Sequence, residues 1–347
     1  QQTFNINYIN INLEGHGRED IGADIDISRT VGWFTSMYPV IINTKHSNNP
    51  IRHVIEVKET LHRVPNKGIG YSTLRYLAHK PYALHTDIIF NYLGDFGTGT
   101  QTKEGEQLFQ FSKQDAGKQI SDNMRRDHVL DISGMIVDDK LQIAVGYSRQ
   151  QYKNETIEKL TSIYQQQLQH LIQTLSTDNE IHLTPVDLTY KALTVEQVQQ
   201  LNQYNNVEDV YWLSPLQQGL YYHWLTVPNS LAYCDQMSYR LKGHINITLL
   251  EKSFQQLINR HAVLRTSFTQ ELDDTLLQIV YKQSNPNFTY IHVSTEKDFS
   301  IETYKQQDKT KGFDLHKGSQ MRLSVIDFGD DVYEFICLLP SIEDVMS

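Results

Sequence analysis

The chain has 347 residues and a formal net charge of −10 at pH 7, from 41 acidic and 31 basic side chains. No stretch concentrates lysine and arginine into a basic stripe, so the composition argues against a nucleic acid partner. Hydrophobic residues make up 39% and charged residues 21%, which is typical of a soluble globular chain with apolar material for two or three domains.

The cysteine content and the hydropathy pattern indicate the cellular compartment in which the chain is expected. Cys234 and Cys337 form neither a disulfide framework nor a metal-ligand spacing, so we expect no bound metal and a reducing cytoplasm. No apolar run is long enough to span a bilayer and no signal peptide opens the chain, so we expect no membrane partner. Because the chain begins within a strand pattern and ends without an evident cap, we expect a segment of a longer polypeptide.

Residues 4–13 alternate apolar and polar side chains, which predicts a strand with one buried face. The strand leads into residues 14–19, where two glycines let the backbone turn closely beside Glu14, His16 and Arg18. A carboxylate next to an imidazole and a guanidinium at a strand end suits acid/base chemistry. A polar turn with a surface ion pair fits the same residues, and the residues alone leave both interpretations open.

Helices and strands alternate through the rest of the first half. Asn49 and Pro50 suit the N-cap and first turn of an amphipathic helix, which should end before Pro65. Residues 68–70 open a second, short helix. An apolar strand follows over residues 87–90 and delivers two polar side chains, Asn91 and Tyr92, at its end; residues 97–107 are predicted to form an exposed loop.

The first half closes with a hairpin and a long helix. Two strands, about residues 128–136 and 140–148, flank a turn at residues 137–140. Asn154 is predicted to cap an amphipathic helix that runs through Leu175. Residues 181–206 are rich in asparagine and glutamine and are predicted to be an exposed interdomain linker, with a short helical piece around residues 195–201.

Four motifs in the first half come in a recognisable order. They are residues 14–19, 28–40, 64–71 and 90–94. In this order they resemble the second half of the epimerization domain of nonribosomal peptide synthetases. The resemblance implies that residues 1–180 are the C-terminal lobe of such a domain, with the α/β, chloramphenicol-acetyltransferase-like fold of condensation domains. That family inverts the α-carbon of an aminoacyl or peptidyl thioester held on a phosphopantetheine arm.

A second set of motifs begins at residue 207. Residues 210–220 are similar to the opening motif of condensation domains, and most similar to the subclass that follows an epimerization domain and takes a D-configured donor. Residues 259–268, at the end of a helix that begins near Asn246, match the next motif. The resemblance implies that residues 207–347 are the N-terminal lobe of a condensation domain. Both lobes are expected to be α/β sandwiches whose mixed or largely antiparallel sheets carry helices on one side.

The resemblance implies roles for four residues of the first lobe. Glu14 is one of two groups that move the α-proton, while its partner, a histidine of an HHxxxDG motif, would lie before residue 1. Arg18 orients the glutamate or its loop. Asn91 and Tyr92 line the tunnel, and Tyr92 could donate to the enolate or simply pack in the core. We expect His16 to be a structural turn histidine, and we expect two aromatic residues to pack at a bridge between the lobes: Trp33 and Phe34.

The second lobe departs from its family at the motif that carries the chemistry. The strand over residues 333–338 should run into HHxxxDG, but Leu339 and Pro340 occupy the two histidine positions, and Asp344 matches the aspartate. Neither side chain can move a proton, so the usual mechanism is in doubt. Either the lobe has a binding role, or condensation needs only the proximity of the two thioester arms.

Two other residues of this lobe are expected to have structural roles. His261 belongs to a different motif and is expected to be a buried helix-end histidine with a hydrogen bond, not a replacement base. Arg265 is expected to form a structural pair with Asp344.

These observations predict a part of a nonribosomal peptide synthetase that epimerizes a carrier-bound thioester and passes it to a condensation domain. No cofactor is expected to bind directly, since the phosphopantetheine arm is presented by a carrier-protein domain. The expected partners are carrier proteins and neighbouring synthetase domains, and the segment alone is expected to be inactive. A free-standing acyltransferase would need its own HHxxxDG, which the sequence lacks. A non-catalytic carrier-binding module stays open for residues 207–347.

Overall fold

The structure, a computed structural model, describes residues 6–19, 22, 25–45, 49–78, 84–95, 114, 117, 121, 124–137, 139–204, 206–227, 230, 232–272, 274–293, 299–318 and 320–342. The chain forms two compact units, Gln1–Glu180 and Ile181–Ser347. The predicted loop over residues 97–107 and the motif residue Asp344 lie outside the described part of the chain.

The first unit is built on a mixed sheet of five strands. These strands are β1 (Tyr8–Gly15), β2 (Ser36–Asn43), β3 (Ile88–Asp95), β4 (Leu130–Val137) and β5 (Lys140–Tyr147). They lie in the order β2-β1-β3-β4-β5, with β1, β3 and β4 parallel and with β2 and β5 antiparallel to their neighbours at the edges. The predicted hairpin is confirmed, because Val137 of β4 pairs with Lys140 of β5.

Helices cover the apolar face of this sheet. Helix α1 (Pro50–His62) begins as predicted, since the Asn49 side chain accepts a hydrogen bond of 3.1 Å from the backbone N–H of Arg52. Helix α2 (Ile69–Ser72) is a single turn that continues into a π-helical turn. Packing of the helices against the sheet buries side chains from both layers: Val40, Leu130, Ile55 and Ile157.

The long helix α3 (Asn154–Thr177) begins one residue away from the predicted cap. Lys153 occupies the N-cap position and makes no capping hydrogen bond with its side chain. The carboxamide oxygen of Asn154 instead accepts a hydrogen bond of 2.8 Å from the hydroxyl of Tyr147, the last residue of β5. The predicted cap was therefore wrong, because a tertiary contact to the preceding strand uses the side chain that the local pattern assigned to the cap.

Within its described residues, the second unit contains two sheets. Its helices are α4 (Val195–Leu201), α5 (Pro215–Thr226), α6 (Ile247–Arg260) and α7 (Ile301–Thr310). Its strands are β6 (Val207–Trp212), β7 (Cys234–Lys242), β8 (Thr266–Thr269), β9 (Leu277–Tyr281), β10 (Asn287–His292), β11 (Arg322–Asp327) and β12 (Val332–Pro340). One sheet has the order β10-β11-β12-β7 and the other β6-β9-β8. None of the helices in the described ranges combines the length and the apolar character that a membrane crossing needs.

The segment over residues 181–206 differs from the exposed connection that its composition predicted. It belongs to the second unit, and Leu188, Leu193 and Val198 are each at most 1% exposed. Their side chains pack in one core cluster with Val207 of β6 and Leu277 of β9. Burial of such side chains contributes about 1.5–3 kcal/mol each, so this segment helps to hold the second unit together.

Arg265 is buried and contacts several described residues, while its predicted pair with Asp344 stays a prediction because Asp344 lies outside the described part of the chain. Its guanidinium donates to the carboxylate of Glu208 at 2.6 Å and to the carbonyl of Ile258 at 3.2 Å, and it also contacts the carbonyl of Tyr281. These bonds join α6, β6 and β9. His261 ends α6 as predicted, but its side chain is exposed, so the expectation of a buried histidine was wrong.

Replacement of Arg265 by methionine is expected to lower the free energy of unfolding of the second unit by about 2–3 kcal/mol, because the buried carbonyl of Ile258 and the partly buried carbonyl of Tyr281 lose their donor. Urea unfolding would be followed by tryptophan fluorescence in a Trp33→Phe background, which leaves only the tryptophans of the second unit as reporters. Arg260→Met, at an exposed position of α6, is the matched control. Equal stability of the two variants would contradict the structural role of Arg265.

Candidate active site

One face of the five-stranded sheet is polar and partly open. Successive side chains of a strand point to opposite faces, so the register divides the sheet into two sets of residues. Ile11 pairs with Val40 and with Ile88, and Ile88 pairs with Leu130, which identifies the face under the helices. The intervening residues make up the opposite face, which also carries apolar side chains such as Ile41 and Ile89; it is called here the polar face after its polar members, which include Asn10, Asn12, Glu14, Asn91, Ser133 and Gln142.

Glu14 and Asn91 are neighbours on the polar face. The parallel ladder between β1 and β3 pairs Leu13 with Phe90, and Glu14 and Asn91 are the next residues of the two strands. Both side chains are partly exposed, and Asn91 pairs in turn with Ser133 of β4. A carboxylate can accept a proton here, while the carboxamide beside it can donate a hydrogen bond to an oxygen that becomes negatively charged.

Tyr92 does not lie with these two residues. It follows Asn91 directly in β3 and therefore points to the opposite face, where its ring covers Gly134, its partner in β4. A Cβ on that glycine would lie 3.5 Å from the tyrosine ring. The side chain is 50% exposed in this unit, and both alternatives for Tyr92, a tunnel residue or a packing residue, stay predictions.

Arg18 holds a loop and makes no contact with Glu14 in the described part of the chain. Its guanidinium donates to the carbonyl oxygens of Ile27 at 3.1 Å and Thr30 at 2.9 Å, and lies 4.2 Å from the centre of the Phe34 ring. Of the two roles considered for Arg18, orienting the loop agrees with these contacts. Trp33 is 90% exposed in this unit, and its packing at a bridge between lobes stays a prediction.

The turn after β1 is fixed by its own polar contacts. The Nδ1 of His16 accepts a hydrogen bond of 3.0 Å from the backbone of Arg18, and its Nε2 lies 3.2 Å from Glu19. Glu19 also pairs with Lys67 at 2.8 Å. Burial and the carboxylate of Glu19 raise the pKa of Tyr38 above its ordinary value, although Lys67 opposes this. Both nitrogens of His16 are therefore engaged in the turn, as expected for a structural histidine.

Sequence reasoning missed His128, which lies beside the polar face. Its Nε2 is 2.8 Å from the carboxamide nitrogen of Asn12, which is two residues before Glu14 on the same strand face. Because the carboxamide nitrogen donates, Nε2 accepts. The available signal was the polar residue at every second position from Asn10 to Glu14. This alternation marked one face of β1 as polar and therefore as a surface that a polar partner such as His128 could contact.

In the second unit, β12 ends at the position of the altered motif. Leu339 and Pro340 are its last residues, and they pair with Asp235 and Cys234 of β7. The hydroxyl of Ser341 donates to the carboxylate of Asp235 at 3.0 Å. The strand geometry thus continues to the motif, although the two histidine positions carry no titratable side chain.

A family model described as the condensation domain matches residues 3–194 and 207–338. The chain belongs to the condensation-domain family. Each of the two matched ranges falls mainly in one of the two units. The family match confirms the resemblance to the condensation domains of nonribosomal peptide synthetases and, together with the mixed sheets and helices, the predicted α/β fold of chloramphenicol-acetyltransferase-like type.

The relatives of this condensation-family chain are large synthases. Bacitracin synthase 1 of Bacillus licheniformis is 31% identical over 339 residues, which cover 95% of this chain and 6% of that protein. Bacitracin synthase 3 of the same organism is 33% identical over 340 residues, which cover 95% of this chain and 5% of that protein. The chain therefore spans a small part of the length of these relatives.

A solved structure was also matched. It is the crystal structure of the epimerization domain from the third module of tyrocidine synthetase B, which is 41% identical. The match covers 49% of this chain and 38% of that one, with a TM-score of 0.44.

Proposed function

We propose that residues 1–180 act as the C-terminal lobe of an epimerization domain and residues 207–347 as the N-terminal lobe of a condensation domain, within a longer cytoplasmic peptide synthetase. The order of the motifs and the separate family matches in the two units support this division. The relatives, which are much longer synthases, agree with it.

The adjacency of Glu14 and Asn91 on the polar face carries the proposal for the first lobe. In the proposed reaction, the carboxylate of Glu14 and a histidine of a second lobe stand on opposite sides of the α-carbon of a carrier-bound thioester. One group removes the α-proton and leaves an enolate, and the other returns a proton to the opposite side. In this reaction Asn91 donates a hydrogen bond to the enolate oxygen. A carrier-protein domain would present the substrate on its phosphopantetheine arm.

A second candidate function concerns residues 207–347 alone. Leu339 and Pro340 replace both motif histidines, while the helix and strands that carry the other motifs are folded. This combination favours a lobe that still binds a carrier protein. The two candidates differ in one measurable respect, since only a catalytic lobe forms a peptide bond between two loaded carriers.

The proposal is tested with the synthetase that contains this chain, loaded with an L-aminoacyl thioester in deuterated water. We expect deuterium at the α-carbon and a mixture of L and D product. The 347-residue chain alone is expected to give no exchange above the uncatalysed rate, because the second proton-transfer group is supplied by the other lobe. No exchange by the synthetase, or exchange by the isolated chain, would contradict the proposal.

A further inference from the structure

A cavity of about 100 Å³ lies in the second unit next to the altered motif. It is enclosed by the last turns of α5, the beginning of β7, the segment after α7 and the end of β12. Polar groups and apolar or aromatic side chains share its wall, which includes Leu220, His223, Trp224, Tyr233, Cys234, Lys311, Phe313 and Pro340.

Pro340 brings the altered motif to the wall of this cavity. Its partner in the antiparallel ladder between β12 and β7 is Cys234, and both residues line the cavity. Pro340 occupies the position at which the motif carries its second histidine, but its ring can neither accept nor donate a proton. Burial raises the pKa of the Cys234 thiol even though nearby cations oppose it, so this neighbour is protonated at neutral pH.

His223 is a titratable group on the cavity wall that lies outside the altered motif; the ammonium group of Lys311, which also lines the cavity, is a hydrogen-bond donor only. It lies in the last turn of α5, whose N-terminus is fixed by the capping box of Ser214 and Gln217. Its ring packs edge-on against Tyr233, with the ring centres 5.1 Å apart and the planes at 90°. The ring nitrogens of His223 form no hydrogen bond with any residue that the structure describes, so they are available to a bound molecule.

Two other histidines of this lobe, His316 and His244, are less suited to such a role. His316 packs between Tyr221 and Trp224, and its Nδ1 lies 3.1 Å from the carbonyl of Phe268. His244 is 87% exposed and lies 3.9 Å from Asp331. Neither lines the cavity at Pro340.

We propose that His223 replaces the missing motif histidine and accepts the proton of the attacking amine during peptide-bond formation; this inference rests on the condensation role proposed above. The substrates are an aminoacyl thioester that supplies the amine and a peptidyl thioester that supplies the carbonyl. The amine nitrogen attacks the thioester carbon, a C–N bond forms and the C–S bond breaks. His223 takes the proton from nitrogen and delivers it to the departing pantetheine thiolate.

The experiment measures single-turnover peptide-bond formation by the complete synthetase, with donor and acceptor carriers loaded beforehand. The variants are His223→Gln, Pro340→His and the double variant, and His244→Gln is the matched control at an exposed histidine. We expect His223→Gln to be slower by about a hundredfold, the lower end for loss of a positioned base. In the double variant, we expect the added Pro340→His substitution to restore the rate of peptide-bond formation to at least about a tenth of the wild-type rate.

Recovery in the double variant separates loss of a base from damage to the fold, because a misfolded lobe would not respond to a new histidine. The proposal is overturned if His223→Gln condenses within about twofold of wild type, or if the double variant stays as slow as His223→Gln. Wild-type protein that condenses only after Pro340→His also overturns it and leaves the lobe as a binding element. Epimerization, measured by α-deuterium in the same samples, reports separately on the function proposed for the first lobe.

Discussion

Replacement of Glu14 by glutamine is expected to slow α-proton exchange in the synthetase by a factor of about 10² to 10⁴, the range for loss of a positioned general base. Glutamine keeps the shape of the side chain and its place opposite Met37 in the β1–β2 ladder, so the sheet should be unchanged. The loss should appear in the exchange rate at saturating substrate and leave the loading of the carrier as it was.

Two further variants sharpen this result. Glu158→Gln changes an exposed carboxylate on α3 in the same unit and should exchange at the wild-type rate. Asn91→Ala should be slower than wild type by a smaller factor than Glu14→Gln, because it removes only a hydrogen bond to the enolate oxygen. Near-normal exchange by a folded Glu14→Gln protein would reassign Glu14 to the turn that follows β1.

Local signals in the sequence predicted much of the secondary structure. The asparagine side chains at the starts of α1 and α6 accept hydrogen bonds from backbone N–H groups, as their position before an amphipathic pattern indicates. The hairpin at residues 137–140 is likewise set by neighbouring residues. In contrast, the side chain of Asn154 bonds to Tyr147 of the preceding strand, and no pattern within the helix reports that contact.

The sequence predicted only part of the candidate site, because the strand register decides which side chains meet there. Motif resemblance identified Glu14, Asn91 and Tyr92, but only the parallel register of β1 and β3 decides which side chain shares a face with Glu14. That register places Asn91 beside it and Tyr92 on the other face. The proximity of His223 and Pro340 could not be predicted from local sequence either, because it depends on α5 and β12 meeting around one cavity.

Composition was a misleading guide at residues 181–206. The segment is rich in asparagine and glutamine, yet it also carries apolar side chains, and Leu188, Leu193 and Val198 are among those that reach the core. One signal in the sequence did indicate an ordered helix in this segment, because Thr194 and Gln197 form a capping box at the start of α4. A capped helix with buried apolar residues is a packed element, so removal of this segment from a condensation lobe would expose the cluster on β6 and β9.

The second large effect concerns Glu334, whose carboxylate is held by three donors. It lies in β12 with a side chain that is 7% exposed. The hydroxyl of Ser238 donates to it at 2.6 Å, Arg240 at 2.8 Å and Lys305 at 2.9 Å. These bonds connect β12 to β7 and to α7. Burial alone would raise the pKa of Glu334, but the three donors outweigh burial and lower it to about 2, from an ordinary value of 4.5.

The sign of the pH dependence follows from this lowered pKa. In the unfolded chain the carboxyl group titrates near its ordinary value of 4.5, whereas in the folded chain it stays ionised down to about pH 2. The stabilisation is therefore fully present above the unfolded pKa and is lost as the pH falls from there toward 2. The difference between the two pKa values corresponds to about 3 kcal/mol.

We expect Glu334→Gln to lower the free energy of unfolding of the second unit by about 3 kcal/mol at neutral pH, because Arg240 and Lys305 lose their carboxylate. Urea unfolding in the Trp33→Phe background, repeated from about pH 7 to about pH 3, should show the gap between wild type and variant narrowing only below the ordinary pKa of glutamate. Glu251→Gln, at an exposed position of α6, should show no gap at any pH. A gap of constant size across this range would mean that the carboxylate acts through its shape and neutral hydrogen bonds and not through its charge.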